Sequence, residues 1–213
     1  MNKARGLCVL DVDGTLIEEE VIDLLGKEAD CDKEVALITA QAMRGELDFE
    51  SSLKKRVSLL KGLSIDAFDK IYHDLHLSKN AVQFIKTLKE SQIEVGLVSG
   101  GFTTIVERLA KDLGISLVAA NQLEIRDGHL TGNLIGPIVS REVKEKTLLS
   151  WAKELEVPFE RTIAIGDGAN DLKMLKSAGL GIAFCAKDIA KKEINLQVDE
   201  RDFGKVLEMI DFL

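Results

Sequence analysis

Two aspartates, Asp11 and Asp13, stand one residue apart at the end of the first apolar segment of the chain. Strands are depleted in aspartate, and unpaired like charges at the rim of a buried sheet are unfavourable, so the pair predicts a metal site or a reaction. A carboxylate can attack phosphorus and form an acyl phosphate that water then splits, which is the role we assign to Asp11. A second carboxyl group nearby can protonate the leaving alkoxide and then accept a proton from water, which is the role we assign to Asp13.

Other polar residues stand beside later apolar segments. The stretch Ser99–Gly101 follows the segment IEVGLV, and Asp167 and Asn170 follow TIAIG. Lys144 lies near the start of the helix predicted before TIAIG. Ligands of open α/β sheets bind outside the carboxyl ends of the strands, so we expect these side chains to meet there. Carboxylates suit Mg²⁺, and a glycine turn with a lysine suits a phosphate group, so the set fits phosphoryl transfer.

Five short, nearly continuous apolar segments predict buried parallel strands, and helical patterns lie between several of them. The segments are GLCVLDV, IEVGLVS, ISLVAA, TIAIGD and LGIAF. This alternation predicts an α/β fold with a doubly wound, mostly parallel sheet of the Rossmann type.

One region breaks the alternation. From about Ile17 to Tyr72 the chain carries amphipathic helical patterns and no strand signal. We therefore expect a helical cap at 16–74 inserted between two core segments, 1–15 and 75–213, because insertions beside a catalytic edge commonly act as lids. Farther along, Asp-Gly stands between two β-prone runs in LEIRDGHLTGNL, which predicts a small antiparallel hairpin flap.

The composition limits the kinds of partner. The 213 residues carry a formal net charge of −8, which argues against binding to nucleic acid or to an anionic membrane and favours a small-molecule substrate. The three cysteines form no CxxC pair, so neither a disulfide framework nor a zinc site is expected. No apolar run approaches the roughly 20 residues that span a bilayer, and we expect a cytoplasmic protein. Its expected oligomeric state is a monomer or a homodimer.

The stretches DVDGTL, SGGF and GDGANDLKML resemble the motifs of the haloacid dehalogenase superfamily of aspartate-nucleophile phosphatases. Within that superfamily, EEEVIDLLGKEA, AMRGELDFESSLKKRVSLLKGL, VSGGFT, LTG and IAFCAK are similar to the branch that hydrolyses O-phospho-L-serine with Mg²⁺. The resemblance runs from Gly6 to the C-terminus. It implies that the helical insertion closes over the substrate and that the fold is of the haloacid dehalogenase type.

The resemblance also implies roles for single residues. Asp11 would be the nucleophile and Asp13 the acid and base. The implied metal ligands are Asp11, Asp13 through its backbone carbonyl, and Asp167. The implied phosphate contacts are Ser99, Gly100, Lys144 and Asn170. In the insertion, the implied substrate contacts are Glu20 for the ammonium group, Arg56 for the carboxylate, and Met43 and Phe49 for the side chain.

Gly14 departs from this family pattern, because members of the branch often carry serine there. The sequence leaves three alternative functions to consider. A different phosphatase or phosphotransferase of the same superfamily would lack the roles of Glu20 and Arg56. A phospho-accepting signalling module would also use an aspartate, a lysine and Mg²⁺, but it has no use for a base such as Asp13. A catalytically inactive binding protein is disfavoured because every expected catalytic position is filled.

Overall fold

The structure is a computed structural model that describes residues 4–211 of the chain. Its strands are β1 (Gly6–Leu10), β2 (Ile93–Phe102), β3 (Leu117–Arg126), β4 (His129–Ile135), β5 (Thr162–Gly166), β6 (Leu180–Phe184) and β7 (Leu196–Val198). Its helices are α1 (Val21–Glu28), α2 (Asp32–Met43), α3 (Phe49–Leu59), α4 (Asp66–His73), α5 (Ala81–Glu90), α6 (Thr103–Asp112), α7 (Arg141–Glu154), α8 (Leu172–Lys176), α9 (Asp188–Glu193) and α10 (Phe203–Leu207). Among residues 4–211, no helix has the length and apolar character needed to cross a membrane.

The seven strands described form one sheet in the order β4-β3-β2-β1-β5-β6-β7. Every neighbouring pair is parallel except β3 and β4. The central strand β1 is buried along its whole length, and its residues alternate between two apolar cores. Cys8 and Leu10 pack on one face of the sheet, and Leu7 and Val9 pack on the other. Burial on both faces explains the continuous apolar runs and confirms the predicted doubly wound α/β fold.

Helices α1 to α4 follow β1 and fall within the predicted insertion. The two chain segments that lead into and out of this helical region lie side by side. Glu18 N donates to His76 O at 2.9 Å, and Ser78 N donates to Leu16 O at 2.9 Å. The bounds 16–74 stay a prediction, and residues 1–3 and 212–213 of the predicted core lie outside the described residues.

The predicted hairpin is formed by β3 and β4. Asp127 and Gly128 join the two strands with φ angles of 50° and 74°, and two left-handed residues are what a tight hairpin turn with the twist of its strands requires. Leu130 in β4 bonds with the loop after α3: Gly62 N donates to Leu130 O at 2.8 Å, and Leu130 N donates to Leu63 O at 2.9 Å. The flap therefore supports the helical region from the core side.

Asp202 ties the C-terminal segment to the chain that leaves the helical region. Its carboxylate accepts from Asn80 Nδ2 at 2.7 Å and from Gly204 N at 2.8 Å, which caps α10, and it pairs with Lys79 Nζ at 2.7 Å. Its neighbour Arg201 donates to Gly14 O at 2.9 Å, in the loop after β1. The C-terminal segment thus contacts the chain on both sides of the helical region.

Replacing Asp202 with asparagine is expected to lower the urea midpoint of unfolding at pH 7. Lys79, Asn80 and Gly204 depress the pKa of Asp202 to about 2, so the ionised form stabilises the fold fully above its unfolded pKa of about 4. That contribution is lost as the pH falls from about 4 through about 2. Urea titrations of both proteins at pH 7, 5, 4 and 3 should give a difference that narrows below pH 4; a constant difference would contradict the assignment.

Candidate active site

Lys144 lies at the centre of the site, between two carboxylates. The first turn of α7 holds it, and its Nζ is 2.6 Å from Asp11 Oδ1 and 2.6 Å from Asp171 Oδ1. All three side chains are buried. Burial by itself lowers the pKa of Lys144, but the two carboxylates outweigh it and raise that pKa above its ordinary value. The lysine is therefore a fixed positive charge beside Asp11.

Asp11 leaves β1 at its carboxyl end, where its backbone N donates to Ile165 O of β5 at 2.9 Å. Burial and the nearby charge of Asp171 raise the pKa of Asp11, whereas Lys144 lowers it. The site thus carries more negative charge than Lys144 neutralises, and a further cation would favour the ionised form of Asp11.

Asp13 lies over Gly101, near the end of β2. A Cβ added at Gly101 would lie 2.9 Å from Asp13 Oδ2, so a larger residue there would force the Asp13 carboxylate to shift. Asp13 Oδ1 is buried and has no hydrogen-bond partner among the described residues. Burial, with a further contribution from Glu20, raises the pKa of Asp13 to about 8. The carboxyl group is then protonated at neutral pH and able to donate a proton.

Three buried carboxylates could hold a metal ion. Asp11, Asp167 and Asp171 each place an oxygen atom within 4.8 Å of those of the other two. Hard oxygen ligands of this kind fit Mg²⁺. Both oxygens of Asp171 already have partners, since Lys144 donates to Oδ1 and Gly168 N donates to Oδ2 at 3.0 Å. Asp11 and Asp167 are therefore the better placed side-chain ligands of the three.

The segment Ser99–Gly101 differs from its sequence-based prediction as a turn, because β2 runs on through Phe102. The pairing register of β2 with β3 shifts between Val98 and Phe102, which frees backbone groups at this point. The buried Ser99 accepts from Gly101 N at 2.8 Å. Asn121 on β3 fixes the segment from behind, since its Nδ2 donates to Gly100 O at 2.8 Å and its Oδ1 accepts from Val139 N at 2.8 Å.

Two predicted site residues flank Gly100. A Cβ added there would lie 3.1 Å from Phe49 Cζ of α3 and 3.9 Å from Asn170 Nδ2. Phe49 thus reaches from the helical region to the edge of the core. Met43, at the end of α2, is 74% exposed, so the structure does not bring its side chain into the same group. The role of Met43 as a wall of the pocket stays a prediction.

Arg56 on α3 points toward the same edge. Its guanidinium donates to Ser52 O at 3.4 Å and to Thr39 Oγ1 at 3.4 Å. Partial burial lowers the pKa of Arg56, while the carboxylates of Glu20, Asp23 and Asp13 act in the opposite direction. The arginine keeps its charge, because its ordinary pKa is far above neutral.

Lys187 joins Glu20 to Asp167 across this edge. Its Nζ lies 3.1 Å from Glu20 Oε1 and 3.0 Å from Asp167 Oδ2. Gly14 makes room for this arrangement: its φ is 71°, and an added Cβ would lie 2.9 Å from Asp167 Oδ2. A serine at this position would require the Asp167 carboxylate or the loop to shift.

Ten of the eleven residues predicted for the site lie together at the carboxyl ends of the strands, and among the described residues only Met43 stands apart. The ten are Asp11, Asp13, Glu20, Phe49, Arg56, Ser99, Gly100, Lys144, Asp167 and Asn170. The sequence predicted no role for Asp171, Asn121 or Lys187, although Asp171 stands with Asp167 and Asn170 after TIAIG. Asp171 had a signal, because it belongs to the stretch GDGANDLKML after β5. Asn121 lies within a strand and Lys187 in a short loop, where neither carries a pattern of its own.

The sequence of the chain is similar to those of known proteins. The family model of haloacid dehalogenase-like hydrolases matches residues 8–176. The phosphoserine phosphatase of Streptococcus thermophilus is 52% identical over 211 residues, which cover 99% of this chain and 98% of that protein.

Two solved structures share the fold over nearly the full chain. One is a phospho-aspartyl intermediate analogue of phosphoserine phosphatase, with a TM-score of 0.92 and 41% identity over 98% of this chain and 100% of that one. The other is a substrate-bound phosphoserine phosphatase complex, with a TM-score of 0.92 and 40% identity over 99% of this chain and 100% of that one.

Proposed function

The chain belongs to the haloacid dehalogenase-like hydrolases, and on that premise we propose that it is a Mg²⁺-dependent phosphatase that hydrolyses O-phospho-L-serine to L-serine and inorganic phosphate. The observation that carries this proposal is the similarity to phosphoserine phosphatases from end to end, at 52% identity over 99% of the chain. The arrangement of charges around Asp11 supports it.

The first step is phosphoryl transfer to the protein. An Asp11 oxygen attacks phosphorus, and the bond between phosphorus and the serine oxygen breaks, with its electron pair leaving on that oxygen. Asp13 gives its proton to the leaving oxygen, which becomes the hydroxyl group of L-serine. The raised pKa of Asp13, about 8, supports a protonated carboxyl group in this step.

The second step is hydrolysis of the aspartyl phosphate. The Asp13 carboxylate accepts a proton from water as the water oxygen attacks phosphorus. The bond between phosphorus and the Asp11 oxygen breaks, which releases inorganic phosphate and restores both side chains to their starting states. One acidic group is thus enough for both proton transfers.

The phosphate group would be held from two sides of the core. Ser99 and the backbone N–H of Gly100 lie at the end of β2, with Asn170 beside Gly100 and Lys144 fixed next to Asp11. We propose Asp11, the backbone carbonyl of Asp13 and Asp167 as the ligands of Mg²⁺. A bound Mg²⁺ would offset the negative charge of the transferring phosphoryl group.

The helical region would recognise the amino-acid part of the substrate. Arg56 would bind the carboxylate, for which its planar guanidinium is suited, and Glu20 would bind the ammonium group. Phe49, against Gly100, would limit the size of the side chain that fits. Met43 would complete this wall once α2 lies closer to the core.

A substrate panel tests the function. Phosphate release with Mg²⁺ is measured from O-phospho-L-serine, O-phospho-L-threonine and a sugar phosphate under the same conditions. We expect kcat/KM for phosphoserine to be highest by roughly 100-fold, since a site that pairs buried charges discriminates strongly against a ligand that leaves them unpaired. A higher value for the sugar phosphate would replace the substrate assignment by another phosphatase of the superfamily, and no turnover at all would contradict the enzymatic function.

Replacing Arg56 with methionine is expected to raise KM for phosphoserine roughly 10- to 100-fold, because one charged hydrogen-bonding partner of the carboxylate is lost. The sugar phosphate has no carboxylate, so its kcat/KM should change little. The matched control is Lys55→Met, which removes an exposed positive charge from the neighbouring position of α3. Equal losses for both substrates in Arg56→Met would show that Arg56 supports the fold of the helical region and does not select the substrate.

A further inference from the structure

Lys187 places the ammonium group of its side chain in the site before any substrate binds. It follows β6 and stands directly before α9, where its backbone N donates to Asp167 O at 2.8 Å. This bond fixes the start of the side chain, and the Nζ then reaches Glu20 Oε1 at 3.1 Å and Asp167 Oδ2 at 3.0 Å. One cation thus links a residue of the helical region with a carboxylate of the core.

We propose that Lys187 determines the affinity of the site for both of its cationic ligands, by competing with the substrate ammonium for Glu20 and with the metal ion for Asp167. This inference rests on the proposed function for the roles of Glu20 and Asp167. It assigns a specificity-determining role to a residue that the catalytic steps do not use.

The chemistry of the two ammonium groups is the same. Lys187 and the substrate each offer one positive charge and three N–H donors on a tetrahedral nitrogen. When both approach one carboxylate, they repel each other at a distance where water screens weakly. The substrate ammonium therefore binds Glu20 best when Lys187 moves away, which its flexible four-carbon stem and half-exposed position allow.

Lys187 competes with the metal ion for Asp167 in the same way. A divalent ion bound by Asp167 repels the Lys187 ammonium, which contacts that carboxylate. Whichever ligand binds first has to break the contacts of Lys187 with Glu20 and Asp167. The ligand that binds second then meets carboxylates that Lys187 has already left, so its binding costs less free energy. By linkage, Mg²⁺ and an amino-group ligand then increase each other's affinity to the same degree.

Gly14 leaves room for the contacts of Lys187 with Glu20 and Asp167. A Cβ at this position would lie 2.9 Å from Asp167 Oδ2 and 3.8 Å from Glu20 Oε1, between the two carboxylates that Lys187 joins. The glycine and the lysine together bring an acid of the helical region close to an acid of the core.

Calorimetric titration tests the proposal without turnover. Mg²⁺ is titrated with and without saturating L-serine, which carries the ammonium and carboxylate groups but no phosphate to touch the metal. We expect L-serine to tighten Mg²⁺ binding to the wild-type protein roughly 5- to 10-fold, at the lower end of the usual range of coupling between sites. The amine-free analogue 3-hydroxypropanoate should have no such effect.

Lys187→Met should bind Mg²⁺ alone several-fold more tightly than the wild type and should show no coupling with L-serine, while Lys187→Arg keeps the charge and should keep the coupling. Lys191→Met is the matched control, because it removes a lysine from α9 that pairs with Asp199 at 2.6 Å, away from the bridge. Weaker Mg²⁺ binding by Lys187→Met, or coupling that persists in it, would overturn the proposal.

Failure of the proposed function would look different. If the wild-type protein neither hydrolyses phosphoserine nor binds L-serine, the substrate assignment is wrong, yet the comparison of Mg²⁺ affinity between wild type and Lys187→Met still decides the metal half of the inference. If Lys187→Met does not fold, the comparison of Lys187→Arg with wild type decides through the coupling, since loss of coupling with the charge retained would overturn the inference.

Discussion

Asp11→Asn is expected to lower kcat for O-phospho-L-serine by about 10⁴-fold or more, the scale seen when a catalytic nucleophile is removed. Asparagine has nearly the shape of aspartate, but its amide does not form the acyl phosphate on which the two-step reaction depends. Lys144 keeps its 2.6 Å contact with Asp171 in the variant, so no buried charge is left without a partner. Single-turnover measurements on acid-quenched samples should detect phosphate bound to the wild-type protein and none bound to the variant.

The control for this change is Asp30→Asn. Asp30 is exposed and has a φ of 53°, a left-handed conformation that asparagine adopts as readily as aspartate. Its kcat should equal that of the wild type. A kcat for Asp11→Asn within about tenfold of wild type would be too small a loss for a nucleophile, and attack by water or by another side chain would then have to replace the aspartyl phosphate.

Local patterns were sufficient for the parts of the molecule that depend on neighbours in the chain. The buried strands could be predicted because strands covered on both faces, such as β1 and β5, are continuous apolar runs. The hairpin could be predicted because Asp127 and Gly128 meet the backbone requirement of its turn. Asp11, Asp13 and Asp167 could be grouped because the carboxyl ends of parallel strands meet at one edge.

The contacts between distant residues could not be predicted from such patterns. Lys144 in SREVKEK has the pattern of a solvated helix charge, yet its side chain is fully buried against Asp171. Lys187 and Glu20 are separated by most of the chain, and their contact depends on how β6 and α1 are placed around β1. Pairs of this kind follow from tertiary packing. Lys144 could be predicted only from its place among the polar residues near the strand ends, and Glu20 only from the family pattern.

Lys144→Met is expected to lower the free energy of unfolding by about 3–5 kcal/mol, because it leaves Asp11 and Asp171 buried without their cation. Methionine fills a similar volume, so the loss would come from charge and not from a cavity. Urea unfolding in the presence of a chelator measures the change, since a bound metal ion would stabilise the folded state by mass action. The same variant should lose most of its activity, because the phosphate group loses a fixed positive charge.

Two further variants separate the charge effect from a general effect of changing α7. Lys146→Met removes an exposed lysine two residues away and should stay within about 0.5 kcal/mol of wild type. Lys144→Met combined with Asp171→Asn removes one of the two unpaired carboxylates and should recover part of the lost stability without recovering activity. If the double variant is no more stable than Lys144→Met, the destabilisation does not arise from Asp171. If Lys144→Met costs less than about 1 kcal/mol, the lysine does not hold a buried charge pair of the kind described.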